Sequence, residues 1–181
     1  RVYKFNNNTY IWDEIGLLMG VNAGDEFGHS VSLNNEGNRV AIGAPNNDAN
    51  GNNSGQVIVY EFYSEGEIWE KIGQVIQGVN ANDNLGYSVS LNGSGSIMAI
   101  GAPNKDGNGS NLSQVRVYKF NNNTYIWDEI GLLMGVNAGD KFGHSVSLNN
   151  KGDRIAIGAP NNDANGNNSG QVIVYEFYSG A

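Results

Sequence analysis

One string of residues constrains this chain more than any other. Residues 27–45 read FGHSVSLNNEGNRVAIGAP, and the string returns as LGYSVSLNGSGSIMAIGAP at 85–103 and as FGHSVSLNNKGDRIAIGAP at 142–160. Its second residue, Gly28, Gly86 and then Gly143, recurs after 58 and 57 residues. A supersecondary unit repeated at that period buries its apolar side against its neighbours, so the chain is a repeat array before it is anything else.

Each unit reads as a run of short strands. In the first, 30–34 alternates strictly, with Val31 and Leu33 on one face and the serines on the other. A turn at 35–38 leads into 39–43, and Pro45, which cannot donate to a ladder, ends that strand. The polar loop 46–55 carries the turn dipeptide Asn50-Gly51. Then 56–62 and 68–76, rich in β-branched and aromatic residues, supply a third and a fourth strand. The second unit offers 88–92, 97–101, 114–120 and 125–132; the third offers 145–149, 154–158 and 171–177, with no fourth. Residues 1–16 read as a hairpin that includes a copy of that missing strand, 10–15.

Four short antiparallel strands per unit is the content of one propeller blade. The expected class is therefore all-β, with propeller-type blades of four antiparallel strands and about three blades in the chain. Residues 1–26 would give strands three and four of a preceding or shared blade. Blades then follow at 27–84, 85–141 and 142–181, the last incomplete. Closed rings hold about four to eight blades, so closure calls for further repeats or another copy. Residues 1–64 and 116–179 align without a gap and agree at 60 of 64 positions, which makes the order A-B-A by duplication. The four differences are Glu26/Lys141, Glu36/Lys151, Asn38/Asp153 and Val40/Ile155. The two charge reversals imply exposed positions that could pair Glu with Lys between copies.

Phe-Gly, some fifteen residues, Gly-Ala-Pro, and a strand such as QVIVYEF after an Asn-rich loop resembles the FG-GAP repeat. That is the blade unit of integrin α-subunit propellers and of many surface proteins. The resemblance covers 27–62, 85–120 and 142–177, with Leu85 in place of Phe in the middle unit. It implies a propeller, a secreted or cell-surface location and a role in adhesion. The Asp-rich calcium loop that the family carries between its first two strands has no counterpart here. Only Asn34-Asn35-Glu36-Gly37-Asn38 and Asn92-Gly93-Ser94-Gly95-Ser96 stand at that place.

Charge and composition exclude several partners. A net charge of −8 with no Lys/Arg cluster gives a nucleic-acid backbone nothing to bind. No apolar run reaches the length of a membrane span, and the absence of cysteine rules out disulfides. The loops after Gly-Ala-Pro are the candidate cation sites. Asp48, Asn50 and Asn52, then Asp106 and Asn108, then Asp163, Asn165 and Asn167 place oxygens at alternate positions, an arrangement that suits calcium. Plain Asx turns are the alternative for the same residues.

Asp25, Asp83 and Asp140, one residue before each Phe/Leu-Gly, are expected to accept backbone N–H bonds across the connector. His29 and His144 share their station with Tyr87, which argues for packing rather than chemistry. With no Ser/His/Asp set, the expectation is that the chain is not an enzyme. Trp12, Trp69 and Trp127 recur on the fourth strand and should lie between blades. Seven sequons, at Asn7, Asn52, Asn92, Asn108, Asn111, Asn122 and Asn167, fall in expected turns as candidate glycan acceptors. The function expected is an extracellular structural or adhesive module that partners further repeats or copies of itself. The alternative is a calcium-dependent propeller that binds a glycan or protein ligand.

Overall fold

The computed structural model describes residues 1–104 and 112–177. Strands β1 (Val2–Asn6) and β2 (Ile11–Gly16) form a hairpin of their own. The first blade runs β3 (Ser30–Leu33), β4 (Arg39–Ala44), β5 (Gln56–Tyr63) and β6 (Ile68–Lys71), with β7 (Ile76–Gln77) also pairing with β5. The second runs β8 (Ser88–Leu91), β9 (Ile97–Ala102), β10 (Gln114–Asn121) and β11 (Ile126–Met134). The third holds β12 (Ser145–Leu148), β13 (Arg154–Ala159) and β14 (Gln171–Glu176). All these strands pair antiparallel with their neighbours. The protein is all-β with propeller-like blades, and no helix occurs among the described residues.

The strands lie close to where alternation in the sequence places them. The fourth strand differs. It is continuous to Met134 in the second blade but broken between Lys71 and Ile76 in the first. Residues 72–78, seven of them, stand where 130–135, six of them, stand in the second blade. Strand β11 already absorbs one extra residue as a bulge opposite Val117 and Tyr118. A second extra residue in the first blade is more than the ladder can take, and pairing stops and resumes.

The core lies between blades rather than within one. Ala41, Val57, Val59, Val89, Leu91, Ile100 and Trp127 belong to the apolar cluster joining the first and second blades. Ala99, Val115, Val117, Ile155 and Ile157 belong to the one joining the second and third. Like residues with unlike neighbours make the point. Val57 and Val59 are 0% and 1% exposed, whereas Val172 and Val174, at the same places in the third blade, are 69% and 65% exposed. Burying one such side chain stabilises by about 1.5–3 kcal/mol, so each blade is held chiefly by the next.

Candidate functional site

The innermost strands β3, β8 and β12 stand side by side, and the signature residues meet there. A Cβ on Gly43 would overlap the carbonyl oxygen of Gly86, and one on Gly101 would overlap that of Gly143. Gly86 and Gly143 have φ of 90° and 85°, a region that suits glycine. The glycine of Phe/Leu-Gly in one blade thus packs on the glycine of Gly-Ala-Pro in the blade before. The serines complete this junction. Ser30 Oγ donates to Gly86 O and Ser88 Oγ to Gly143 O, both at 2.8 Å. Ser32 Oγ accepts from Leu91 N and Ser90 Oγ from Leu148 N, both at 2.9 Å.

At the outer edge a tryptophan lies against a glycine of the preceding unit: Trp69 on Gly16, Trp127 on Gly73. Trp69 Nε1 donates to Ile15 O at 3.2 Å. The Gln74 side-chain amide docks on the Trp127 backbone, donating to its carbonyl at 2.7 Å and accepting from its N–H at 2.8 Å. Burial between units holds for Trp127, 2% exposed, while Trp12 is 66% exposed. The largely buried Tyr118 is in the cluster between the first two blades, and desolvation raises its pKa against the lowering effect of Arg116.

The loop residues offered for a cation are placed as follows. Asp48 Oδ1 accepts from Asn53 N at 2.7 Å, and Asn50 Nδ2 donates to Gly78 O at 2.8 Å. The carbonyls of Asn52, Asn53 and Ser54 accept from Asn82, Asn84 and Leu85 N at 2.7, 3.0 and 3.1 Å. Loop 46–55 therefore clasps the connector that enters the second blade. Asp163 Oδ1 likewise accepts from Asn168 N at 2.7 Å, with Asn165 and Asn167 exposed. Asp106 and Asn108 lie outside the described residues. Among the described residues no group of three His, Cys, Asp or Glu side chains is placed to hold a metal ion.

The connector aspartates tie their own blade together. Asp25 Oδ2 accepts from Asn47 Nδ2 at 2.7 Å and Asp140 Oδ2 from Asn162 Nδ2 at 2.6 Å, side-chain amides where backbone donors were expected. Asp83 does take backbone donors, Val79 N at 3.3 Å and Asn80 N at 3.0 Å. Its would-be amide partner is replaced in sequence by Lys105, which lies outside the described residues.

His29, Tyr87 and His144 form a file across the three blades, with ring centroids 4.8 and 5.0 Å apart. Of the sequon asparagines, Asn7, Asn52, Asn122 and Asn167 are exposed. Asn92 is 3% exposed, its Oδ1 accepting from Ser96 and Ile97 N and its Nδ2 donating to Lys151 O. Asn108 and Asn111 lie outside the described residues. Sequence reasoning missed the role of Lys141. It is half-buried and its Nζ donates to Asn104 Oδ1 of the preceding blade, so one charge-reversed position is a junction contact. The equivalent Asn84 also reaches the preceding blade, its Nδ2 donating to Pro45 O at 3.0 Å, a contact that no local pattern specifies.

Two solved structures are similar to this chain, and the first shares its fold. A periplasmic gluconolactonase from Pseudomonas aeruginosa aligns over 96% of the chain and 45% of its own, at 13% identity and a TM-score of 0.57. A putative 6-phosphogluconolactonase from Bacteroides uniformis aligns over 82% of the chain and 41% of its own, at 12% identity and a TM-score of 0.47. The chain spans less than half the length of either. No curated protein matches it in sequence. The first likeness corrects the expectation that the chain is not an enzyme. A fold that nearly all of this chain shares with less than half of a gluconolactonase gives no ground for excluding catalysis, and the lack of a Ser/His/Asp set does not supply one. The family model described as FG-GAP repeat matches residues 20–60, 77–118 and 135–175, and the chain belongs to that family.

Proposed function

We propose that this chain is a scaffold module of a secreted or surface-displayed protein, presenting polar loops for adhesion and continued by further repeats or copies. One observation supports this above the rest. At both places where two blades meet, the repeated residues are spent on the junction: glycine against glycine and serine to backbone, with the tryptophans at 69 and 127 on a glycine of the preceding unit. A unit built that way grows by addition. The exposed Asn7, Asn52, Asn122 and Asn167 would carry glycans on such a surface. A second reading is calcium-dependent capture of a glycan or protein by the loops after Gly-Ala-Pro. The exposure of Asp163, Asn165 and Asn167 in the third blade favours it.

Melting in calcium and in chelator separates the two. The scaffold reading expects one Tm in both solutions. A calcium site filled at about 100 times its Kd would add about 2.7 kcal/mol, or roughly 5–10 °C, and glycan capture would vanish with the metal. A chelator-induced fall of that size would sink the scaffold reading. The activity screen run beside it includes lactone hydrolysis, the reaction for which the structure sharing this fold is named.

A further inference from the structure

We infer that the third blade of one copy packs on the first blade of another, head to tail, repeating the junction found twice inside the chain. This rests on the scaffold reading and names its partner as a second copy. Each internal junction has two halves, and each half stands uncovered at one end. On the third blade Val172 and Val174 are exposed where their counterparts are buried, and a Cβ on Gly158 would press only on the neighbouring Ser145, with no glycine carbonyl facing it. On the first blade Val31 and Leu33 are 64% and 50% exposed, against 8% and 6% for Val89 and Leu91. Gly28 has open space where Gly86 and Gly143 meet the preceding blade. A cavity of about 290 Å³, lined by Val2, Phe27, Val31, Leu33, Val40 and Ile42 among others, lies where the inner strands of an adjoining blade would stand.

The pairing follows residue by residue. Ser145 Oγ would donate to Gly28 O of the second copy, as Ser30 does to Gly86 O, and Leu33 N to Ser147 Oγ, as Leu91 N does to Ser32 Oγ. Glu26 would meet Asn161, as Lys141 meets Asn104, and the Asn161 amide can donate to it. Residues 1–64 and 116–179 agree at 60 of 64 positions, so both surfaces are near-copies of ones already paired in the chain. Head and tail differ, so the contact is heterologous and makes open series or rings rather than a two-fold dimer.

The hairpin β1–β2 competes for part of the place. Residues 174–177 of an incoming β14 would fall where 2–5 of β1 lie. Strands β1 and β2 pair with each other along their whole length, so they move together. The hairpin leaves as a unit, giving up the Trp69–Ile15 bond.

Sedimentation velocity over a wide concentration range, on the whole chain, tests this with Val31→Glu and Val174→Glu. Both side chains are exposed in one copy, so each variant keeps the parent's urea midpoint. The parent should form a concentration-dependent series. Either variant alone should associate at least about tenfold more weakly, because a carboxylate would be buried in the contact. Mixed, they should give a one-to-one dimer and nothing larger, since the good tail of Val31→Glu meets the good head of Val174→Glu. Hydrogen exchange should slow at 30–33 and quicken in the hairpin on association. A parent that stays monomeric, variants that associate like the parent, or a mixture without dimer would each overturn the inference. The scaffold reading fails separately, on chelator-dependent melting and ligand capture.

Discussion

Replacing Trp127 by alanine should lower stability by about 3–5 kcal/mol, while the same change at Trp12 should cost less than about 0.5 kcal/mol. The two tryptophans sit in one heptapeptide, YIWDEIG, so helix or strand propensity cannot separate them. Their neighbours do. The Trp127 indole fills the space over Gly73 and beside Phe120 at a centroid distance of 5.1 Å, and truncation there leaves a cavity between two blades. The Trp12 ring touches Phe5 within its own hairpin at 5.3 Å and is otherwise in solvent. Urea unfolding of both variants measures the difference. Stacked repeats are stabilised by nearest-neighbour contacts, so Trp127→Ala should also loosen the coupling of the first two blades and broaden the transition. Equal losses at the two sites would refute packing between blades as the source of stability.

Much of this architecture is written plainly in the residues. Strict alternation in SVSL, a Pro that ends the second strand and an Asn-rich loop before the third each act locally, and each is found where expected. What alternation cannot give is the identity of the second face. The serines at 30 and 32 read as a polar side, and polar sides ordinarily meet water. Here they meet the backbone of residues 86 and 91, a partner that no local pattern specifies. Loop 46–55 shows the same limit. Alternation of its side chains says nothing of its backbone carbonyls, and those of 52, 53 and 54 are taken by the donors at 82, 84 and 85. The broken fourth strand of the first blade was legible in principle, because the extra residue between Trp69 and Gly78 shows once the units are aligned.

A methyl group added at Gly101 should cost roughly 3 kcal/mol or more, at the top of the range for overpacking, because the atom it meets cannot rotate away. The obstacle is the Gly143 carbonyl, backbone of the next blade, and that oxygen already accepts from Ser88 Oγ. Relief requires the third blade to move outward, which opens the apolar cluster that holds Ile155 and Ile157. Gly158→Ala supplies the comparison. It stands at the same place in the third blade and meets only Ser145 Oγ, a side chain free to turn, so the loss there should stay below about 1 kcal/mol. Denaturation of the two variants reads the stability, and hydrogen exchange at 145–148 reports whether the third blade has lifted. If Gly158→Ala costs as much as Gly101→Ala, the glycine is needed for its own strand and not for the blade that follows. If Gly101→Ala is much the worse, Gly-Ala-Pro is the seat for the next Phe/Leu-Gly. On that outcome the two halves of the repeat signature are a single contact, shared by neighbouring units.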